Sequence, residues 1–159
     1  MAANVTNVVI AGLGGQGVIK ASDILADAAF RAGLDVKKSE LHGMSQRGGS
    51  VSSDVRFGSG VLSPMVPPGE ADALLVIAAD QVDPNRHRLR EGGVLVTPDA
   101  IDDTLLENKK SLNVALLGAL SRHLPIDEAH WQAAIRANLP EKLHEINVRA
   151  FHAGRNTGR

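Results

Sequence analysis

The sequence predicts one three-layer α/β domain built on a mostly parallel, mixed sheet. Short apolar segments typical of strands alternate with amphipathic segments typical of helices, an order that favours a sheet with helices on both faces. The chain has 159 residues, of which 43% are hydrophobic and 22% charged, so it is long enough to bury a core of its own. We expect the domain to cover residues 1–154 and a polar tail to cover residues 155–159.

The predicted order begins with an apolar strand at Asn7–Ala11, a glycine-rich turn at Gly12–Gly17 and a helix at Val18–Ala32. Polar and apolar side chains recur on separate faces of this helix at spacings of three and four residues. Asp27 and Arg31 lie four residues apart, and we expect them to form an ion pair. A strand, a glycine turn and a helix in this order indicate a Rossmann-like start to the domain.

The rest of the chain continues the alternation. Further strands are predicted at Val36–Ser39, Val51–Phe57, Ala73–Ala78 and Gly93–Thr97. Further helices are predicted at Gln81–Arg90, Leu112–Leu124, Glu128–Asn138 and Glu141–Ala153, the last ending at Gly154. Strict alternation predicts that the strand at Val51–Phe57 is half-exposed, and we expect Val61 and Leu62 to begin a return strand that makes an antiparallel hairpin. The helix at Leu112–Leu124 is apolar on nearly every side, so we expect it to be buried or to lie at an interface.

Composition excludes several classes of function. The chain has no cysteine, so it makes no disulfide and cannot ligate an iron–sulfur cluster through thiolates. A net charge of -1 and the lack of a long basic run argue against nucleic-acid binding. The six histidines are scattered without a metal-ligand spacing, so no metal site is predicted. No signal peptide and no membrane span are recognisable, and we expect a cytoplasmic protein.

The glycine-rich turn matches the pattern G-x-G-x-x-G. Its members are Gly12, Gly14, Gly15, Gln16 and Gly17. Such a turn lets the backbone approach an anion closely, and the free N–H groups at the helix start then point towards that anion. Glu40 follows at about the distance at which the dinucleotide-binding motif has its ribose-binding acid. Tight packing of the helix on the sheet explains the same glycines equally well.

A second motif is the polar loop from Glu40 to Ser50. Its candidate site residues are Glu40, His42, Arg47, Gly48, Gly49 and Ser50. Arg47 beside two glycines is suited to hold a phosphate or a carboxylate, while Glu40 and His42 are close enough to hydrogen-bond each other. The alternative is a structural loop in which Arg47 pairs with an acid of this chain or of a partner.

Together the two motifs resemble the gamma subunit, or gamma domain, of 2-oxoacid:ferredoxin oxidoreductases. The resemblance runs from the GxGGQG turn through SExHGMSQRGGSV and a strand ending in Arg-Phe-Gly, to Ser63-Pro64 and Glu70-Ala71-Asp72 and on to Asn113–Gly118. It covers nearly the whole chain. The form HGMSQRGGS is most similar to the small, or beta, subunit of the indolepyruvate type.

The resemblance implies a complex that oxidatively decarboxylates a 2-oxoacid to an acyl-coenzyme A and passes the electrons to ferredoxin. It implies thiamine diphosphate, Mg²⁺, [4Fe-4S] clusters and coenzyme A for the complex, with thiamine and iron–sulfur subunits as partners. This chain has neither cysteines nor the Gly-Asp-Gly thiamine motif, so we expect it to be inactive alone, to bind none of these groups by itself, and to act in assembly or near coenzyme A. A homodimer is possible when the chain is isolated.

Two other classes of function stay open at this point. A stand-alone NAD(P)-binding oxidoreductase domain shares the glycine turn and Glu40, although the chain is short for a dehydrogenase and has no tyrosine to serve as a catalytic residue. An interaction module without a ligand site is the third class. Titration with NADH and with coenzyme A distinguishes the three.

Overall fold

Five strands form one mixed sheet in the computed structural model, which describes residues 4–42 and 49–157. The strands are β1 (Val5–Leu13), β2 (Asp35–His42), β3 (Ser50–Gly58), β4 (Ala71–Val76) and β5 (Leu89–Val96). Their order across the sheet is β2-β3-β1-β4-β5. Strand β4 runs parallel to β1 and β5, whereas β3 runs antiparallel to both of its neighbours. Four strands therefore point the same way, and the predicted α/β fold with a mixed sheet is confirmed.

Five α-helices and several 3₁₀ turns complete the domain. The helices are α1 (Val18–Arg31), α2 (Val82–Asn85), α3 (Leu112–Ser121), α4 (Glu128–Asn138) and α5 (His144–Thr157). The 3₁₀ turns are Ala79–Gln81, Arg86–Arg88, Pro98–Ala100, Asp103–Leu105, Lys109–Ser111 and Glu141–Leu143. Helix α4 has the predicted bounds, and α1 is one residue shorter than predicted.

The sheet is buried on both faces, but by different kinds of structure. Val8 and Ile10 of β1 face the large core, which α1, α3, α4 and α5 cover. Val9 and Ala11, which alternate with them, face a smaller core covered by irregular chain and α2. Residues 8–11 of β1 are all apolar because both faces of the strand are covered there. We call the side of the sheet under the four long helices the helical face and the other side the open face.

Helix α1 has the predicted ion pair and ends one residue before the predicted Ala32. The side chains of Asp27 and Arg31 form the expected ion pair, with 3.2 Å between Arg31 Nε and Asp27 Oδ1. Gly33 has a φ of 85°, and the N–H of Leu34 donates to the carbonyl of Ala29. This pairing closes the helix in the way a left-handed glycine after the last turn allows.

The strands differ from their predicted bounds, chiefly around β2 and β3. Strand β2 runs on through His42, so Glu40 lies within the strand and not in the loop. The predicted return strand at Val61 and Leu62 is wrong, because β3 is paired on both sides by β1 and β2 and has no free edge to offer. The same central position makes β3 mostly buried, so the prediction of a half-exposed strand is also wrong.

The segment predicted as one helix from Gln81 to Arg90 is three short turns. Pro84 has no N–H to donate and is tolerated only in the first turn of a helix, so α2 contains four residues. Two 3₁₀ turns flank it, and the second leads Arg88 inward to a buried carboxylate on β3. The break in the helix therefore allows the Arg88 side chain to reach Asp54 on β3.

The sequence predicts that the helix at Leu112–Leu124 is buried or lies at an interface, and the structure shows α3 buried inside this domain. Residues 113–121 are all buried, and α5 packs directly against them. Gly118 and Gly154 allow this contact, since a Cβ on either would overlap the backbone of the other helix. The prediction that the last helix ends at Gly154 is wrong, because Gly154 lies within α5. The apolar surface of α3 is thus explained without a partner subunit.

Candidate functional site

The glycine turn and the ends of the loop motif lie at one edge of the sheet. Gly12 of β1 and His42 of β2 are both in register with Val51 of β3, so the three residues form one row across the sheet. The N–H of Gly14 donates to the carbonyl of Gly49 over 2.9 Å. This hydrogen bond ties the first motif to the second, although 35 residues of sequence separate them. The structure therefore brings together the two motifs that the sequence identified.

The turn before α1 closes largely on itself. Gly15 and Gly17 have φ values of 87° and 83°, a left-handed backbone that favours glycine. The side chain of Gln16 folds back, and its Oε1 accepts from the N–H of Leu13 over 2.8 Å. The anion-binding capacity of this turn therefore rests on the first amides of α1, which have no carbonyl partner within the helix.

Two glycines of the turn have packing reasons as well. A Cβ on Gly12 would lie 3.0 Å from both Gln16 Oε1 and Val18 Cγ2, and one on Gly17 would collide with the amide of Asn113. The Asn113 Nδ2 donates to the carbonyl of Gly17 over 3.2 Å. Asn113 was not predicted as a site residue. The signal for it is a polar side chain at the start of the otherwise apolar helix α3.

Glu40 is not part of this row. Its carboxylate bonds Lys38 Nζ at 2.6 Å, and the same Nζ lies 2.7 Å from Asp23 Oδ1 on α1. Burial lowers the pKa of Lys38, but the hydrogen bonds to Asp23 and Glu40 outweigh this effect and raise its pKa above the ordinary lysine value. Glu40 therefore bonds Lys38, where a hydrogen bond to His42 was expected.

The strand order also separates Glu40 from the place a dinucleotide would need it. In a dinucleotide-binding sheet the second strand lies directly beside the first, and its acid reaches the ribose. Here the antiparallel β3 lies between β1 and β2. With about 4.8 Å between neighbouring strands, β2 is about 9.6 Å from β1. This arrangement does not favour the NAD(P) alternative.

Three cavities surround the row formed by Gly12, Val51 and His42. Cavity 1 has a volume of about 520 Å³, cavity 2 about 470 Å³ and cavity 3 about 300 Å³. Cavity 3 lies between the glycine turn and His42, and cavity 2 lies on the far side of the turn beside Lys109 and Lys110. His42 lines both cavity 1 and cavity 3, so its exposed side chain stands between them.

A charged pair that sequence reasoning did not single out lies against cavity 1. Arg88 donates to both Ser52 Oγ, over 3.2 Å, and Asp54 Oδ1, over 2.5 Å. The other carboxylate oxygen of Asp54 accepts from the N–H of Val66 over 2.9 Å. Asp54 is buried and Arg88 is mostly buried, so this ion pair is largely shielded from water. The available signal was an aspartate in the alternating pattern of β3.

The remaining predicted site residues divide into two groups. Gly49 accepts the hydrogen bond from Gly14, and Ser50 begins β3 and lines cavity 1. Arg47 and Gly48 lie outside the described residues. Over residues 4–42 and 49–157, no group of three or more histidine, aspartate or glutamate side chains is arranged to hold a metal ion. No helix in that part of the chain is long and apolar enough to cross a membrane.

Known proteins with this fold and these motifs place the chain in a family. Residues 7–157 match the pyruvate ferredoxin/flavodoxin oxidoreductase family. An indolepyruvate oxidoreductase subunit IorB from Thermococcus kodakarensis is 35% identical, over 93% of this chain and 93% of its own length. The chain therefore belongs to the pyruvate ferredoxin/flavodoxin oxidoreductase family, and it corresponds to the small, gamma-type subunit in it.

Solved structures agree with this assignment. The gamma subunit of a keto/oxoacid ferredoxin oxidoreductase from Geobacter sulfurreducens PCA superposes with a TM-score of 0.79 at 26% identity, covering 96% of this chain and 97% of that one. A 2-oxoglutarate:ferredoxin oxidoreductase from Magnetococcus marinus also gives a TM-score of 0.79, at 21% identity. This chain covers 31% of that longer one, so the fold also occurs as one part of a larger polypeptide.

Proposed function

We propose that this chain is the small subunit of an indolepyruvate-type 2-oxoacid:ferredoxin oxidoreductase, which converts an arylpyruvate to an acyl-coenzyme A. The motif HGMSQRGGS and the 35% identity to an indolepyruvate oxidoreductase subunit support this type. The chain has no cysteine, so the iron–sulfur clusters of such a complex belong to other subunits. Thiamine diphosphate and its Mg²⁺ belong there too, because the chain lacks the Gly-Asp-Gly motif.

The observation that supports a functional edge most directly is the hydrogen bond between Gly14 N–H and the carbonyl of Gly49. It holds the end of the loop motif against the glycine turn, with open cavities on both sides. We assign to this edge the contact with the active site of the partner subunit. The proposed roles are anion binding or an interface ion pair for Arg47 and polar contacts for His42.

Coenzyme A is the ligand whose chemistry fits this edge best. Its phosphates require cations and free amides. Cavity 2 has Lys109, Lys110 and residues 15–17 of the glycine turn in its wall, and the first residues of α1 line the neighbouring cavity 3. Its thiol is the group that accepts the acyl unit when the complex is assembled. This chain's own contribution is to bind and orient the carrier, since none of its described side chains forms a nucleophile–base pair at the edge.

Titration of the assembled complex tests the proposal. We expect coenzyme A to bind the complex and NADH not to bind, and we expect Arg47→Ala to weaken coenzyme A binding or to lower turnover. Binding of NADH in place of coenzyme A contradicts the proposal and supports the dehydrogenase alternative. Lack of binding by either ligand would leave this subunit with a scaffold role only.

A further inference from the structure

We infer that the open face of the sheet carries a docking surface for an acidic-rimmed apolar groove on the thiamine-bearing subunit. The surface is formed by residues 59–70, which we call the strap, and by the neighbouring residues of β2 and β3. This inference rests on the proposed function, because it identifies where on this chain the larger subunit binds.

The strap has no regular secondary structure, yet side chains of the sheet hold it at three points. Asp35 Oδ2 accepts from the N–H of Val61 over 2.7 Å, and Arg56 Nη1 donates to the carbonyl of Ser63 over 2.8 Å. Asp54 Oδ2 accepts from the N–H of Val66 over 2.9 Å. These bonds fix the backbone of the strap before any partner arrives, which lowers the entropic cost of binding.

The strap directs apolar side chains in two directions. Val61 and Val66 point inward and are buried. Leu62 is 99% exposed and Met65 is 64% exposed, although both lie beside these anchored residues. Leu41 on β2 is 69% exposed and lines cavity 1 together with Met65. Three of the five large hydrophobic side chains exposed in the described part of the chain therefore belong to the strap or to the neighbouring strand β2.

Two cations on the same face lie opposite each other without a carboxylate between them. Lys37 of β2 is in register with Arg56 of β3, and like charges directly opposite in a sheet are destabilising. Arg56 bonds only neutral oxygens, those of Asn7 and Ser63. Within residues 4–42 and 49–157, neither cation has an aspartate or glutamate within salt-bridge distance. An acidic group from outside the chain would relieve this repulsion.

The two cations, Lys37 and Arg56, decide which kind of partner fits this surface. A second copy of this chain related by a two-fold axis would bring the same patch against itself, so the interface would contain four cations without a carboxylate partner. A partner with carboxylates around an apolar groove meets no such repulsion, and it covers Leu62 and Met65 as well. Charge complementarity therefore favours a different chain over a homodimer.

The two outer strands of the sheet, β2 and β5, are poor sites for the same partner. Lys37 and Lys38 lie on the edge strand β2, and charged side chains on an edge oppose the addition of another strand. Strand β5 at the other edge shifts register between Ala71 and Ala73 of its neighbour β4, and Gly92 within it has a φ of 75°. The four long helices cover the helical face, so of the two faces of the sheet the open face is the one left for docking.

The test measures association of this subunit with the larger, thiamine-bearing subunit by calorimetry at two salt concentrations. We expect the double variant Leu62→Ser, Met65→Ser to weaken binding by at least about tenfold, as truncation of central interface residues does. Lys37→Glu should weaken binding and reduce its dependence on salt. The matched controls are Phe30→Ser, which changes a 71% exposed side chain on α1, and Lys142→Glu, which reverses an exposed charge; both should bind within twofold of wild type.

The possible outcomes separate this inference from the proposed function. If wild type binds the larger subunit and the folded double variant binds equally well, the surface is wrong and the proposed function stands. If wild type does not bind the larger subunit at all, both are wrong. If the variants instead abolish a homodimer of this chain and leave binding to the larger subunit unchanged, the surface belongs to a second copy and the inference is overturned.

Discussion

Two glycines in the turn before α1 share a left-handed backbone but differ in what surrounds them. Gly15 has a φ of 87° and open space where a Cβ would lie, whereas Gly17 has a φ of 83° and the buried Asn113 side chain in that place. Backbone strain alone therefore acts at Gly15. At Gly17 strain and collision act together.

Substitution by alanine should separate these two effects. We expect Gly15→Ala to lower the free energy of unfolding by about 1 kcal/mol, the cost of a left-handed conformation for a residue with a Cβ. Gly17→Ala should cost about 2–3 kcal/mol, because Asn113 must also move and its hydrogen bond to Gly17 is strained. Urea unfolding of both variants measures the difference. Equal losses of stability in the two variants would show that the Asn113 side chain moves away from a Cβ at residue 17 without cost.

Lys38 links β2 to α1 through two carboxylates, and its pKa is raised. A raised folded-state pKa means that the stabilisation is fully present below the ordinary lysine pKa, about 10.4, and is lost as the pH rises through the folded value. Lys38→Met should therefore lower the free energy of unfolding at neutral pH, by no more than about 1 kcal/mol, because water still reaches the two ion pairs of Lys38 and screens them.

The test is how the difference in free energy of unfolding between wild type and Lys38→Met depends on pH. As the pH rises above about 10.4 and through the raised folded-state pKa of Lys38, wild type and Lys38→Met should converge in stability, since the folded amine then loses its charge. Lys142→Met is the control, because Lys142 is exposed and forms no ion pair with any residue in the described ranges. A difference for Lys38→Met that stays constant up to high pH would show that packing of its side chain stabilises β2 and that its charge does not.

At the scale of elements, the contact between α3 and α5 depends on two glycines. A Cβ at Gly154 would overlap the backbone of Ala115, and one at Gly118 would overlap that of Phe151. The helices therefore approach each other more closely than side chains would permit. This approach buries α3, and α5 continues past Gly154, where the sequence predicts its end.

Gly154→Ala is a direct test because two effects oppose each other. Helix propensity alone predicts that alanine stabilises the interior of a helix by about 1 kcal/mol relative to glycine. Overlap with the backbone of Ala115 predicts a loss of about 1–3 kcal/mol, since the helices must separate. We expect a net loss of stability in thermal or urea unfolding. A more stable variant would show that α3 and α5 are not so closely packed.

The elements that the sequence predicted well are those with a local pattern. The periodicity of α1, its ion pair at Asp27 and Arg31 and the bounds of α4 are all local features, and all are confirmed. The hairpin at Val61 and Leu62 and the end of α5 at Gly154 are wrong, because long-range contacts decide them. Strand pairing around β3 and a helix contact at Ala115 are invisible in a local window.

At the scale of the whole molecule, the sequence identified two motifs that the structure brings together, but it did not predict how they are arranged. The sequence identified the glycine turn and both ends of the loop, and the Gly14–Gly49 hydrogen bond joins them. It assigned Glu40 to the same site, but β3 lies between β1 and β2 and so separates Glu40 from the glycine turn. Asn113 and the Arg88–Asp54 pair were missed because they reach the edge from distant parts of the chain.

This chain is one subunit of a 2-oxoacid oxidoreductase, and we predict that it works only inside the complex. The most direct measurement is oxidation of indolepyruvate, with coenzyme A and ferredoxin present, by the larger subunit with and without this chain. We predict turnover only when both are present, and we predict that the purified chain alone contains neither iron nor thiamine diphosphate. Turnover by the isolated chain, or full turnover by the larger subunit without it, would contradict the account.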